Sequence, residues 1–340
     1  MGDPAGIGPE IAIEAVRDPA VVKKCRVLII GDRTALERTN RGKLRFPVWD
    51  ADTFPASGDV WLHPLTALSD RACLPGRSSK ACGKACYLYI RRAVELIQTG
   101  VVDAMATAPI SKKNLQQAGY VYPGHTELLA ELTGTPEVRM MLWGRRLRVV
   151  LVTVHLPLAE VMGALTRRSI RLTVEMTHRS LVEWFGISAP RLAVAALNPH
   201  GGEDGIFGRE ETQVIRPAVQ DCRRKGLDVT GPVPSDSLFH HAVGGRYDAV
   251  VCMYHDQGLG PFKLLHFSNG VNLTLGLPIV RTSVDHGTAY DIAGKGIADS
   301  TSMKEAILLA ARLARTRGRK SEVGDQKSGI GQHPLPSADI

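Results

Sequence analysis

Three histidines in this sequence occupy the same kind of position. "LRVVLVTVHLP" runs an apolar stretch into His155, "RLAVAALNPHGGEDG" runs another into His200, and "YDAVVCMYHDQGLGPFK" a third into His255. A single histidine at a strand end is ordinarily a satisfied structural residue. Repetition adds a second reading, because three neutral imidazoles around an open position hold a divalent metal that acts on a substrate. No two of them share a helix or a short loop, so spacing alone leaves both readings open.

The elements needed to position such residues are legible around them. Each apolar run has the length of a buried strand, about four to eight residues, and lacks the polar alternation of a half-exposed one. In open α/β sheets ligands sit beyond the carboxyl ends of the strands, where all three histidines would emerge. The rest of the chain alternates in the same way. "RVLIIGD" and "VDAMATAPIS" read as strands, as do "DAVVCMY" and "GVNLTLGLPIVRTS". "GKACYLYIRRAVELIQTG", "IRLTVEMTHRSLVEWFG", "GREETQVIRPAVQDCRRKG" and "SMKEAILLAARLA" read as helices. This alternation predicts an α/β protein with a mostly parallel sheet. "GDPAGIGPE" predicts a tight loop opening a helix with Pro9 and Glu10 in its first turn; its free amides could equally receive an anion. The glycine spacing of the Rossmann fingerprint is absent, so cofactor-binding residues stay unassigned.

With 340 residues the chain has room for about two domains. Its 44% hydrophobic and 22% charged residues are those of a globular protein, and no apolar run reaches the ~18 residues of a membrane span. No secretion signal is evident, and a cytoplasmic location is the expectation. Six basic and two acidic residues between Arg312 and Lys327 supply an excess of four, half of the net charge of +8. Residues 318–340 are expected to be a disordered basic tail. A nucleic-acid role for that tail would show as salt-sensitive binding, but the remaining charge is weak evidence for it, and no nucleic-acid or membrane partner is expected. The six cysteines are scattered; Cys82 and Cys86 share a helix face without zinc-ribbon spacing and are expected to be reduced, partly buried thiols.

Seven blocks carry a more specific signal: "MGDPAGIGPE", "YPGHTELLAELTG", "HLPL", "LNPHGGEDGIFGREE", "PSDSLF", "MYHDQG" and "GLPIVRTSVDHGTAYDIAGKG". In this order, from Met1 to about Ala310, the chain resembles the 4-hydroxythreonine-4-phosphate dehydrogenase family. The resemblance implies two αβα domains around a cleft, similar to isocitrate and isopropylmalate dehydrogenases, within residues 1–317. The first would take about 1–115 with 285–317, the second about 116–284. It also implies a homodimer whose active site draws on both subunits, NAD or NADP as cofactor, and one divalent metal per site (zinc, magnesium, cobalt or manganese) held by His155, His200 and His255. Asp236 falls on an acidic position near the metal. His125, Thr126, Lys263, Asn272 and Arg281 match substrate-binding positions, and Lys263 and Arg281 are cations suited to a phosphate or carboxylate. His286 lies in a matching block but receives no role.

The implied reaction is metal-assisted oxidation of the C3 alcohol of 4-hydroxythreonine 4-phosphate, a small phosphorylated hydroxy acid. The product is a 3-keto acid that decarboxylates on the way to vitamin B6. Asp236, His125 and a metal hydroxide are alternatives for the proton acceptor. Two other branches are open: 4-phospho-threonate or erythronate dehydrogenases, and dehydrogenases of dihydrodiol dicarboxylates. A metal-dependent hydrolase would use the same histidines without nicotinamide. One departure concerns the start, since family members carry a β-strand before "GDPAGIGPE". Either the true start lies upstream or the first domain lacks an edge or inner strand.

Overall fold

A computed structural model describes residues 1–39, 46–50, 58–77 and 79–328, with side chains described as far as residue 318. Ten strands are described: β1 (Val27–Asp32), β2 (Val60–Thr66), β3 (Ala104–Thr107), β4 (Arg139–Trp143), β5 (Arg148–Leu151), β6 (Leu192–Ala195), β7 (Val229–Val233), β8 (Ala249–Cys252), β9 (Val271–Leu275) and β10 (Val280–Val284). β1 and β2 form a parallel pair, and the others form one eight-stranded sheet in the order β3-β10-β9-β4-β5-β8-β6-β7. β4 and β9 run antiparallel to their neighbours; the remaining pairs are parallel. The expectation of a mostly parallel α/β fold holds. One sheet runs across the expected boundary at residue 115, since β3 pairs with β10.

The missing alternation in the three histidine-bearing runs has a direct structural cause. Val150, Val194, Val251 and Ala249 enter one hydrophobic cluster while Val149, Ala193, Val250 and Cys252 enter another on the opposite face. Helices Arg167–Glu183, Arg216–Arg224 and Thr301–Ser328 cover the first face through Ile170, Val174, Val219 and Leu309. Helices Ser235–Val243 and His255–His266 cover the second through Leu238 and Phe262. Complete burial of each valine or leucine contributes roughly 1.5–3 kcal/mol. The sheet is thus a rigid two-sided core whose carboxyl edge carries β5, β8 and β6 side by side.

β1 and β3 are not hydrogen-bonded to each other, and a cavity of about 670 Å³ lies between them, lined by Val27–Ile30 of one and Ala104–Thr107 of the other. "GDPAGIGPE" does lead into a helix, Gly8–Arg17, with Pro9 at its start. The loop's amides are already engaged in part, because those of Ala5, Gly6 and Ile7 donate to Asp3 Oδ1 at 2.9 Å, the Asp3 carbonyl at 3.1 Å and the Thr288 carbonyl at 3.0 Å. The expected disordered tail is corrected in part. Helix Thr301–Ser328 continues past residue 317, and residues 329–340 lie outside the described ones. All six cysteines are free, and burial pushes the Cys82 thiol up to about 12. No helix among the described residues is long and apolar enough to cross a membrane.

Candidate active site

His155 and His255 leave the carboxyl ends of the neighbouring strands β5 and β8, and their ring centres lie 6.1 Å apart. The two chain segments are fastened together, because Thr153 donates to the Met253 carbonyl through both its amide and its hydroxyl, at 3.2 and 2.7 Å. His255 opens the His255–His266 helix, and its Nδ1 lies 2.7 Å from Asp256 Oδ1. A carboxylate on one ring nitrogen fixes the tautomer and turns the other nitrogen toward a ligand. Burial, then the charges of Lys112 and His255, hold His155 below its ordinary pKa, so the ring is neutral near pH 7.

His200 is held differently. It sits in the segment Pro199–Gly205 at φ 52°, and Glu203 and Asp204 share the left-handed region. Each such residue costs on the order of 1–3 kcal/mol unless its surroundings enforce it. The enforcing group is Glu211, which is fully buried. Its Oε1 accepts from the Leu197 and Asn198 amides at 2.8 and 2.7 Å, and its Oε2 accepts from Asn198 Nδ2 at 2.9 Å. A Cβ on Gly202 would stand 2.7 Å from that same Oε2, so the loop closes on the carboxylate only with glycine there. Gln257 joins the two regions: it accepts from the Met253 amide at 2.7 Å and donates to the Ala196 carbonyl and to Ser235 Oγ at 2.9 Å.

The three histidines expected to share one metal are not all neighbours within a single chain. Among the described residues no three His, Cys, Asp or Glu groups of one chain gather as metal ligands. His155 and His255 come together and His200 does not join them. Two adjacent imidazoles, one braced by a carboxylate, fit two corners of a divalent metal's shell, and the third protein donor must come from elsewhere. Asp236 lies exposed in the first turn of helix Ser235–Val243, accepting from the Ser237 amide at 2.7 Å.

A second cluster lies on one face of the sheet. Asn272 stands opposite Ser283, and Ser283 opposite Thr107, so alternation places Arg281, Thr274 and Thr107 on the same side as Asn272. Arg281 is 2% exposed and donates to Thr274 Oγ1 at 3.0 Å and Thr107 Oγ1 at 2.7 Å. Its Nε is buried without a partner, as is Asn272 Oδ1. Burial lowers the guanidinium to about 9, offset in part by the charge of Glu127, and leaves it cationic at neutral pH. No carboxylate forms an ion pair with it among the described residues. A buried cation in this condition calls for an anionic ligand.

Helix His125–Leu132 packs over this face through Leu128 and Leu129 and carries His125 and Thr126 in its first turn. Burial first, and the Arg281 charge second, push His125 well below its usual range. Lys263 is a different case from Arg281. Its ammonium lies 2.6 Å from Asp285 Oδ2 and donates to the Asp285 carbonyl at 2.8 Å, so it already has an anion. Sequence reading passed over Gln257, Glu211, Thr107 and Thr274. Gln257 and Thr274 each stand two positions from a flagged residue, His255 and Asn272, and Glu211 closes the block "LNPHGGEDGIFGREE"; Thr107 gains its role from Arg281, 174 positions away in the chain.

Residues 23–310 match the model of the PdxA family, described as pyridoxal phosphate biosynthetic protein. The chain is 53% identical over 323 residues to the 4-hydroxythreonine-4-phosphate dehydrogenase of Geobacter metallireducens, covering 94% of this chain and 95% of the relative. It is 46% identical over 324 residues to the D-threonate 4-phosphate dehydrogenase of Cupriavidus necator, covering 93% and 96%. The crystal structure of 4-hydroxythreonine-4-phosphate dehydrogenase from Klebsiella pneumoniae superposes with a TM-score of 0.84 at 43% identity, over 92% of this chain and 96% of the other. With its fold, its motif order and these matches agreeing along the chain, the protein belongs to the PdxA family.

Proposed function

We propose that this protein is a dehydrogenase that oxidises the C3 alcohol of 4-hydroxythreonine 4-phosphate, using NAD or NADP and one divalent metal. The observation that carries the reading is Arg281, a buried guanidinium without an ion-pair partner among the described residues, on a polar sheet face topped by the first turn of the His125 helix. Arg281 receives an anionic group of the substrate through charge-assisted hydrogen bonds. His125, kept neutral, and Thr126 add hydrogen bonds without adding charge. Asn272 Oδ1 accepts from a donor of the substrate, the ammonium of the amino acid or the corresponding hydroxyl of the hydroxy acid. Lys263, held by Asp285, sets the edge of the anion site.

His155 and His255, with His200 supplied by a second copy of the chain, would hold the metal. When bound, the metal lowers the pKa of the substrate hydroxyl and draws electron density from the ketone that follows. A bound nicotinamide would supply the acceptor for the C3 hydride. The hydroxyl proton leaves to Asp236, since burial and the Arg281 charge make His125 a poor acceptor, and loss of carbon dioxide from the 3-keto acid breaks the C1–C2 bond. The protein's contribution is alignment at the carboxyl edge of the sheet.

A second reading, oxidation of 4-phospho-threonate, rests on the relative from Cupriavidus necator. Metal-stripped protein is offered both substrates with NAD and with NADP, and zinc, magnesium, cobalt and manganese are restored singly. Metal-dependent nicotinamide reduction faster with the amino acid supports the proposal. Reduction with the hydroxy acid alone supports the second reading, and no reduction with either overturns both.

A further inference from the structure

We propose that a second anion-binding site, for a small phosphate- or pyrophosphate-bearing molecule, lies at the end of the sheet opposite the histidines. A cavity of about 600 Å³ opens there between the end of β4, the start of β5 and helix Thr301–Ser328. Arg148 begins β5 and His155 follows its far end, so the two residues lie at opposite ends of the strand. The pocket is therefore distinct from the candidate active site.

Its unsatisfied groups are all of one kind. Trp143 is 6% exposed and its Nε1 is buried without a partner; the Nε of Arg148 is buried without one too. These two atoms lie behind the cavity wall, so the contacts the cavity offers a ligand are those of its basic side chains, which donate and cannot accept and therefore suit acceptor oxygens. Arg148 is held rigidly for this purpose, with a terminal nitrogen donating to the Asp248 carbonyl at 2.9 Å and the guanidinium 5.2 Å from the centre of the Phe185 ring.

The charge around the cavity points the same way. Lys24, Arg145, Arg148, Arg312 and Arg315 line it against one acid, Glu305, which is paired with Arg145 at 3.0 Å. After burial, the charge of Arg312 is the next influence disfavouring the Arg148 cation, so these two guanidinium groups repel each other. An anion between them turns that repulsion into attraction. Leu308, Leu309 and the Trp143 ring supply an apolar floor that suits the carbon part of a phosphate ester.

Inorganic pyrophosphate is the probe, titrated calorimetrically into the full chain carrying Arg281→Met so that the catalytic-face anion site is silenced. The expected result is one pyrophosphate per chain with Kd below about 1 mM. Adding Arg312→Glu, an exposed change that leaves the core untouched, weakens binding by about tenfold or more, the value of a charged hydrogen bond. Arg148→Met does the same. Intrinsic fluorescence changes on binding, and the change disappears in Trp143→Phe. Binding that vanishes in Arg281→Met alone, or that ignores Arg312→Glu, overturns the proposal, as does an absence of binding.

Discussion

Replacing Arg281 by methionine separates two consequences of its burial. The guanidinium has been taken out of water without gaining an ion pair, which costs stability, while its partnerless Nε and fixed position suit an anion. Arg281→Met is expected to leave Tm unchanged or higher by calorimetry and to lower kcat/KM by about 10²- to 10⁴-fold, the loss of two charge-assisted hydrogen bonds. His125 provides a pH test. Its folded pKa lies below its unfolded value of about 6.5, so the unfolded chain binds a proton that the folded chain refuses. Stability is complete above about pH 6.5 and declines as pH falls toward the folded pKa. His155 and His63 shift in the same direction, so His125→Gln flattens the fall in Tm between pH 7.5 and pH 5.5 without abolishing it. The chemistry of single residues was well marked in the sequence wherever type alone decides it, as with the histidines and Arg281. It was poorly marked where partners decide: nothing near Lys263 announces Asp285 as its counter-ion, and nothing near Thr107 announces a contact with a residue 174 positions away.

At the level of elements, β5, β6 and β8 were readable because burial on both faces removes alternation, a pattern a local window detects. β2 and β7 were not, since each is mostly half-exposed and carries a proline, Pro64 or Pro232, that argues against a strand. The loop carrying His200 takes left-handed geometry at His200, Glu203 and Asp204, and Glu211 binds the amides of Leu197 and Asn198 that lead into it. Glu211→Ala leaves the Leu197 and Asn198 amides without an acceptor at roughly 1–3 kcal/mol each, so Tm drops. If the loop presents His200 to a metal, affinity measured by zinc titration falls about 10- to 100-fold as well. Glu211→Gln retains an oxygen for the amides but presents an NH₂ to Asn198, and is expected to fall between wild type and Glu211→Ala in both measurements. Equal behaviour of the two variants would show that the carboxylate does not clamp the loop.

For the whole molecule, the separation of His200 from the His155–His255 pair decides how many chains build one site. Local signals could mark each histidine but not this partition, because ligand sets are defined by spatial distance and, in an oligomer, by symmetry. Within one chain, among the described residues, no third His, Cys, Asp or Glu joins the pair as a metal-binding group. In a two-fold dimer, His200 of each chain would complete the pair on the other. This arrangement makes opposite predictions for two inactive variants alone and together. His155→Ala homodimers lack one ligand in both sites, and so do His200→Ala homodimers. A hybrid of the two places both lesions in one site and leaves the other with His155 and His255 from the His200→Ala chain and His200 from the His155→Ala chain. Co-expressed with different affinity tags and purified through both, the hybrid is expected to recover about half of wild-type turnover and one tightly bound metal per dimer. If all three ligands met within a single chain, each site of the hybrid would keep one lesion, and turnover and metal content would stay at the level of the parent variants.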